Sequence, residues 1–216
     1  MSSDSKRYGM VIDLDLCVGC RGCEVACRQE HDLKPRLGEE LDLRTGRVPY
    51  WTKVETVGPC GVFPDLDMFY FPRMCNHCAA APCVEACPTG AMAVREDGIV
   101  SLETGRCITC LKCMDACPFR AIFYDRQEDS VSKCTFCAHR IDHGLEPACV
   151  STCMSGCRIF GDLNDPESEA SRMLSEREVE VLPLPVSWES EARPNVFYLR
   201  RQPMKHTRDN RRRRGG

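Results

Sequence analysis

The chain has 216 residues, 43% of them hydrophobic, and a formal net charge of −3. This length suits one or two domains, and no run approaches the roughly 20 apolar residues needed to cross a bilayer. The charge is uneven: residues 200–216 hold eight Arg or Lys against one Asp, so the body before them is acidic, with 21 basic and 31 acidic side chains.

Eighteen cysteines dominate the composition. Such abundance means either a disulfide scaffold or metal sites. The start, MSSDSKRYGMVIDLDL, has neither the apolar core of a secretory signal nor a twin-arginine pair. The oxidising compartment that a disulfide framework requires is therefore not expected.

Residues 8–16 place apolar side chains at Tyr8, Met10, Ile12, Leu14 and Leu16, a strand leading into the first cysteine loop. CVGCRGCEVAC then sets Cys17, Cys20, Cys23 and Cys27 in C-x2-C-x2-C-x3-C spacing, with a helix from about Arg21 to Glu30 carrying the fourth. Residues 31–74 read as an insertion: a charged loop, then WTKVETV and DMFYFP as the strands of a short hairpin over the core. Cys60 inside it has no local partner and is expected to be a small buried residue, not a ligand.

The second motif, CNHCAAAPCVEACP, holds Cys75, Cys78, Cys83 and Cys87; the third, CITCLKCMDACP, holds Cys107, Cys110, Cys113 and Cys117. The third is the cysteine run of bacterial ferredoxins, and the second is the same run with two residues added before its third cysteine. Three thiolates in one short loop can reach three iron corners of a cubane cluster. The fourth cysteine opens a helix that points away and ligates the neighbouring cluster. Cys75, Cys78 and Cys83 are thus expected to share a cluster with Cys117, and Cys107, Cys110 and Cys113 one with Cys87. Asp97-Gly98 between apolar pairs signals a hairpin after Cys87. PFRAIFYDRQEDSVS repeats the plan after Cys117, which makes this an internal repeat.

The fourth motif, CTFCAHRIDHGLEPACVSTC, holds Cys134, Cys137, Cys149 and Cys153. Cysteine pairs around a spacer also suit tetrahedral zinc. If motifs two and three cross-ligate, motifs one and four are left for each other: Cys17, Cys20 and Cys23 with Cys153, and Cys134, Cys137 and Cys149 with Cys27. Cys157 stands where the other copies put Ala91 and Ala121, the position of a packed filler. Further on, Asp165 reads as a helix N-cap with Pro166 at the first helical position. Ala170, Met173 and Leu174 form a modest apolar stripe. VEVLPLPV and NVFYL read as extended segments whose prolines favour edges or loops over a central strand.

His77 and His139, inside cysteine loops, suit either an N–H donated to sulfur or a polar surface residue. Arg21, Arg106, Lys112, Arg120, Lys133 and Arg140 near the ligands either offset cluster charge or are solvated surface. There is no phosphate-cradling loop, nucleophile elbow or paired-carboxylate motif, so no catalytic residue is expected. The fold class read from these elements is α+β: two bacterial-ferredoxin-like modules, each with a pair of 4Fe-4S clusters. One is built from residues 1–30 plus 128–165, the other from 75–127. The insertion at 31–74, a C-terminal helix with extended segments at 166–199, and a basic, disordered tail at 200–216 complete the chain.

Four motifs in this order resemble the four-cluster iron–sulfur subunit of membrane-linked molybdopterin oxidoreductases, the family that serves dimethyl sulfoxide, polysulfide, thiosulfate, tetrathionate and arsenate reductases. The resemblance runs from YGMVIDLDLCVGCRGCEVAC through CNHCAAAPCVEACPTGAM, CITCLKCMDACPFRAI and KCTFCAHRIDHGLEPACVSTC to RIFGDLNDPESEAS. In that family the first motif pairs with the fourth and the second with the third. The resemblance implies four 4Fe-4S clusters on sixteen cysteines, a large molybdenum or tungsten bis-pterin catalytic partner, and an integral membrane quinone-reactive partner. It also implies peripheral attachment to the membrane through those partners, on the cytoplasmic side or exported with a partner. The tetra-arginine tail suits anionic headgroups on the cytoplasmic side, so that face is slightly favoured. Met154 and Cys157 depart from the Pro and Ala more usual in relatives. Two other functions compete: a soluble polyferredoxin serving a cytoplasmic enzyme, and a zinc-bearing nucleic-acid module using the Arg-rich tail.

Overall fold

The computed structural model describes residues 5–33, 50–125, 128–176, 180–181 and 192–200. Its elements, in chain order, are β1 (Tyr8–Asp13), α1 (Gly22–Glu30), β2 (Thr52–Val62), β3 (Asp65–Met74), α2 (Pro82–Glu85), β4 (Met92–Val94) and β5 (Val100–Leu102). A turn of 3-10 helix (Thr104–Arg106) leads to α3 (Lys112–Ala116), β6 (Ile122–Asp125), β7 (Ser130–Lys133), α4 (Ala138–Ile141), α5 (Ala148–Ser151) and β8 (Arg158–Asp162). Last come α6 (Glu169–Glu176), β9 (Glu180–Val181) and β10 (Val196–Arg200).

α2, α3 and α5 are short because each covers little more than the stretch between the third and fourth cysteine of its motif, whereas α1 runs past Cys27 and α4 fills part of the long gap between Cys137 and Cys149. α2 ends two residues before Cys87, and Cys117 follows α3 directly. In motifs two and three the fourth cysteine therefore follows its helix, whereas the motif spacing alone has it open one. After each comes a two-stranded hairpin: β4–β5 pairs Met92 with Leu102, and β6–β7 pairs Ile122 with Lys133. The first carries Asp97-Gly98 in its turn, with Gly98 at φ +83° as the Asp-Gly signal requires.

The four-stranded sheet runs β8-β1-β10-β9. β1 pairs antiparallel with β8 and parallel with β10. β1 and β10, the first and last described strands, thus lie side by side where the chain enters the motif-one loop. β10 is an interior strand, contrary to the edge expected for NVFYL. Pro194 stands outside the strand, and Val196, Tyr198 and Leu199 are all buried, so burial decides its place. α6 lays Ala170, Met173 and Leu174 against Val11, Ile159 and Leu199, as the stripe implied. Its start is later than Asp165. The Ser168 hydroxyl accepts the Ser171 N–H at 3.1 Å, while Asp165 Oδ1 caps only the Glu167 N–H in the preceding turn.

The hairpin β2–β3 is longer than the sequence suggested, and its two strands shift register between Val57 and Cys60. Its base is buried at Thr52, Val54, Phe71 and Met74, whereas its far end exposes Val62, Phe63, Leu66 and Met68. Cys60 lies in that far half, opposite Asp67, and is exposed. The expectation of a buried Cys60 fails because the hairpin outruns the core it packs on. The tail beyond Arg200, and most of VEVLPLPV, lie outside the described residues.

Candidate iron–sulfur centres

The four cysteine loops share one backbone device. The residue before the second cysteine of each motif is left-handed: Gly19 at φ +69°, His77 at +42°, Thr109 at +53° and Phe136 at +53°. Three of these are not glycine, so the conformation is costly. It turns successive backbone N–H groups toward the inside of the loop, the concavity that suits an anionic group. Three residues after the fourth cysteine the same hand recurs at Gly90, Arg120 and Gly156. Peptide N–H groups reach sulfur directly: Phe136 N–H donates to Cys134 Sγ (3.4 Å) and Met92 N–H to Cys87 Sγ (3.5 Å).

Between motifs two and three the cysteines come together across motifs. One small cavity is lined by Cys107, Cys110, Cys113 and Cys87, together with Met92, Leu102, Leu111 and Val131. Burial and then Cys107, Cys87 and Cys110 push the Cys113 thiol up to about 11. Cys83 rises to about 12 through burial and then Cys75 and Cys117, and the same neighbours raise Cys78. Each thiol thus resists ionising next to the thiols its crossed pairing assigns to it.

Motifs one and four behave alike. Burial, then Cys149 and Cys137, raise Cys27. Burial raises Cys134 as well, with Cys27 the first of its charged neighbours. Cys17 and Cys153 meet through Cys157, whose Sγ lies 3.5 Å from that of Cys153. The Cys17–Cys157 hydrogen bond holds Cys17 below the usual thiol range and Cys157 above it. Cys20 is exposed on its loop. Cys157 is buried, as a filler should be.

The expected tetrads also feel one another's charge in sequence: Cys149 is a neighbour that raises Cys23, Cys75 one that raises Cys134, and Cys113 one that raises Cys83. At the middle junction the His77 and Phe136 rings, which occupy equivalent positions of motifs two and four, stack 3.8 Å apart at 18°. His77 is fully buried, and its Nδ1 accepts the Val100 N–H at 3.1 Å. It is not a surface residue, and its buried Nε2 has no hydrogen-bond partner among the described residues. His139 pairs with Glu30 on the surface instead. The histidine that does meet a sulfur is His31, whose Nε2 lies 3.2 Å from Cys137 Sγ. Its distance along the sequence from Cys137 hid it from motif reading.

Of the cations near the ligands, Arg21, Arg106, Lys112 and Arg120 are exposed, and Arg140 pairs with Glu30. Lys133 is buried, its ammonium donating to the carbonyls of Val100 and Cys134. Arg158, which sequence reasoning passed over, is buried with its guanidinium against the sulfurs of Cys23 and Cys149.

The donor set fits iron–sulfur clusters. Crowded, buried thiols are poor acids alone, and a bound metal removes their protons outright. Among the described residues no three His, Cys, Asp or Glu side chains converge on one point as ligands of a single metal ion would. A cubane spreads its irons over a cube and so takes sulfurs that stand farther apart. The fold and these loops define a ferredoxin-type iron–sulfur protein of mixed α/β structure that carries 4Fe-4S clusters.

Comparison with known proteins agrees. A family model described as a 4Fe-4S dicluster domain matches residues 66–163. A subunit of the tetrathionate reductase of Salmonella typhimurium is 39% identical over 197 residues, covering 91% of this sequence and 74% of that protein. The arsenate respiratory reductase iron–sulfur subunit of a Shewanella species is 34% identical over 242 residues, covering 90% of this sequence and 96% of that one. A component of the polysulfide reductase of Wolinella succinogenes is 37% identical over 174 residues, covering 80% and 85%. The chain thus belongs to this family of iron–sulfur electron-transfer subunits of molybdopterin reductases. No helix among the described residues is long and apolar enough to cross a membrane.

Proposed function

We propose that the chain carries four 4Fe-4S clusters in two ferredoxin-like modules, ligated in crossed tetrads. Cys17, Cys20, Cys23 and Cys153 bind one; Cys134, Cys137, Cys149 and Cys27 a second; Cys75, Cys78, Cys83 and Cys117 a third; Cys107, Cys110, Cys113 and Cys87 a fourth. When bound, each cluster supplies a one-electron redox couple. The observation that carries this reading is the cavity in which Cys87 of one motif faces Cys107, Cys110 and Cys113 of the next.

The order of the tetrads along the molecule follows from the neighbours just given. The two inner tetrads consist of buried cysteines. The two end tetrads reach the surface through Cys20 and Cys110. A row that is insulated in its middle and open at both ends suits a relay between two partners. Aliphatic and aromatic side chains such as Ile12, Phe71 and Ile122 keep water from the interior of the row and so hold the buried sulfurs in a low dielectric.

The partners in this reading are a large molybdenum or tungsten bis-pterin catalytic subunit at one end and a quinone-reactive membrane subunit at the other. The chain is then peripheral to the cell membrane through them, on the cytoplasmic face. The names of the relatives, as parts of tetrathionate, arsenate and polysulfide reductases, support such an assembly. Co-purification without oxygen tests it. A detergent-dependent complex with a pterin-bearing subunit is expected, and a freely soluble, partnerless iron–sulfur protein counts against it.

A further inference from the structure

Arg158 is a charge in an unusual place. Its side chain is buried at the base of the inserted hairpin, and among the described residues no carboxylate pairs with it. One arm of the guanidinium, Nη2, donates to Cys23 Sγ at 3.5 Å and to Thr52 Oγ1 at 2.8 Å. The other, Nη1, lies 3.7 Å from Cys149 Sγ and touches the thioethers of Met74 (3.3 Å) and Met10 (3.7 Å). Thr52 and Met74 are cross-strand partners at the hairpin base, so the insertion clamps the guanidinium in position. Of the other buried cations among the described residues, Lys133 gives its donors to two carbonyls and Arg200 pairs with Asp67; Arg158 gives its donors to sulfur and the Thr52 hydroxyl.

Cys23 and Cys149 belong to different tetrads in the crossed grouping. A buried cation without a counter-charge is strongly disfavoured, and cluster-bound thiolates are the anions within its reach. We propose that Arg158 is a positioning residue shared by two adjacent clusters, holding one ligand sulfur of each and raising both reduction potentials. The physical reason is Coulombic. One-electron reduction adds negative charge to a cluster, and a fixed cation nearby in a low dielectric stabilises the reduced form more than the oxidised one. The planar fork suits two sulfurs at once, which a lysine ammonium cannot match although it keeps the charge.

This inference rests on the crossed grouping, and its test separates the two. The full chain and its R158M and R158K variants are purified without oxygen and their iron is counted. Each is then titrated with dithionite in the presence of redox mediators and followed by EPR. Fewer than four clusters in the unaltered protein removes the grouping, and the Arg158 assignment with it. With four present, R158M is expected to lower two of the four midpoint potentials and leave the other two in place, and R158K to recover most of the shift. Unchanged potentials in R158M, a uniform fall of all four, or an R158K as low as R158M overturns the assignment to Arg158 alone. Should R158M fail to load fully, full iron in R158K supports the need for charge, and loss in both contradicts it.

Discussion

The stacked pair His77–Phe136 pins the loops of motifs two and four together at the junction of the two proposed inner tetrads, and its worth can be worked out from the contacts. In His77→Ala the Val100 N–H loses its buried acceptor, at about 1–3 kcal/mol. The ring contact at 3.8 Å and 18° is worth about 0.5–1.5 kcal/mol more. The sum, about 1.5–4.5 kcal/mol, corresponds to roughly 10-fold or more in an equilibrium or rate. His77→Asn is milder, because Asn tolerates the φ of +42° and keeps an acceptor for Val100; it should cost about 1 kcal/mol. Cluster loss makes unfolding irreversible, so the readout is the rate at which the visible cluster absorbance bleaches in denaturant under anaerobic conditions. A double-mutant cycle with Phe136→Ala should give a coupling of about 0.5–1.5 kcal/mol. No coupling, with His77→Ala bleaching at the unaltered rate, would refute the role of the stack.

Other outcomes follow from the tetrads. Cys117→Ser should cost up to about four irons of about sixteen and remove the EPR signal of the cluster on Cys75, Cys78 and Cys83; loss of the Cys107 cluster instead contradicts crossed ligation. Cys60→Ala and Cys157→Ala should each leave the iron content unchanged, and a fall of about four irons in either means that a ligand was misassigned. At Gly19 an added Cβ would stand 2.5 Å from the Tyr70 ring at a backbone φ of +69°. Gly19→Ala should therefore cost about 1–2 kcal/mol in backbone strain, plus the clash. Its end cluster should bleach first in air, with partial recovery when Tyr70→Ala is added. Equal bleaching with and without Gly19→Ala counts against it.

The motif spacing made the cysteine loops legible, because three ligands in one short loop and a fourth after a turn of helix are local geometry. The Asp97-Gly98 hairpin was legible for the same reason, and so was the packed position of Cys157. Tertiary choices were not. β10 lies inside the sheet because Val196, Tyr198 and Leu199 found a buried slot beside β1, and no local pattern tells an interior strand from an edge. Cys60 is exposed because the hairpin extends past the body. The left-handed turns at His77, Thr109 and Phe136 had no glycine to announce them. Arg158 reaches Cys23 from 135 residues away along the sequence and His31 reaches Cys137 from 106, beyond the range of any motif.

Iron and acid-labile sulfide, counted in the full-length protein purified without oxygen, bear most directly on the central claim. Sixteen cysteines in four crossed tetrads predict about sixteen of each per molecule. A colourless, iron-free protein, or one holding only about eight irons on intact cysteines, contradicts it.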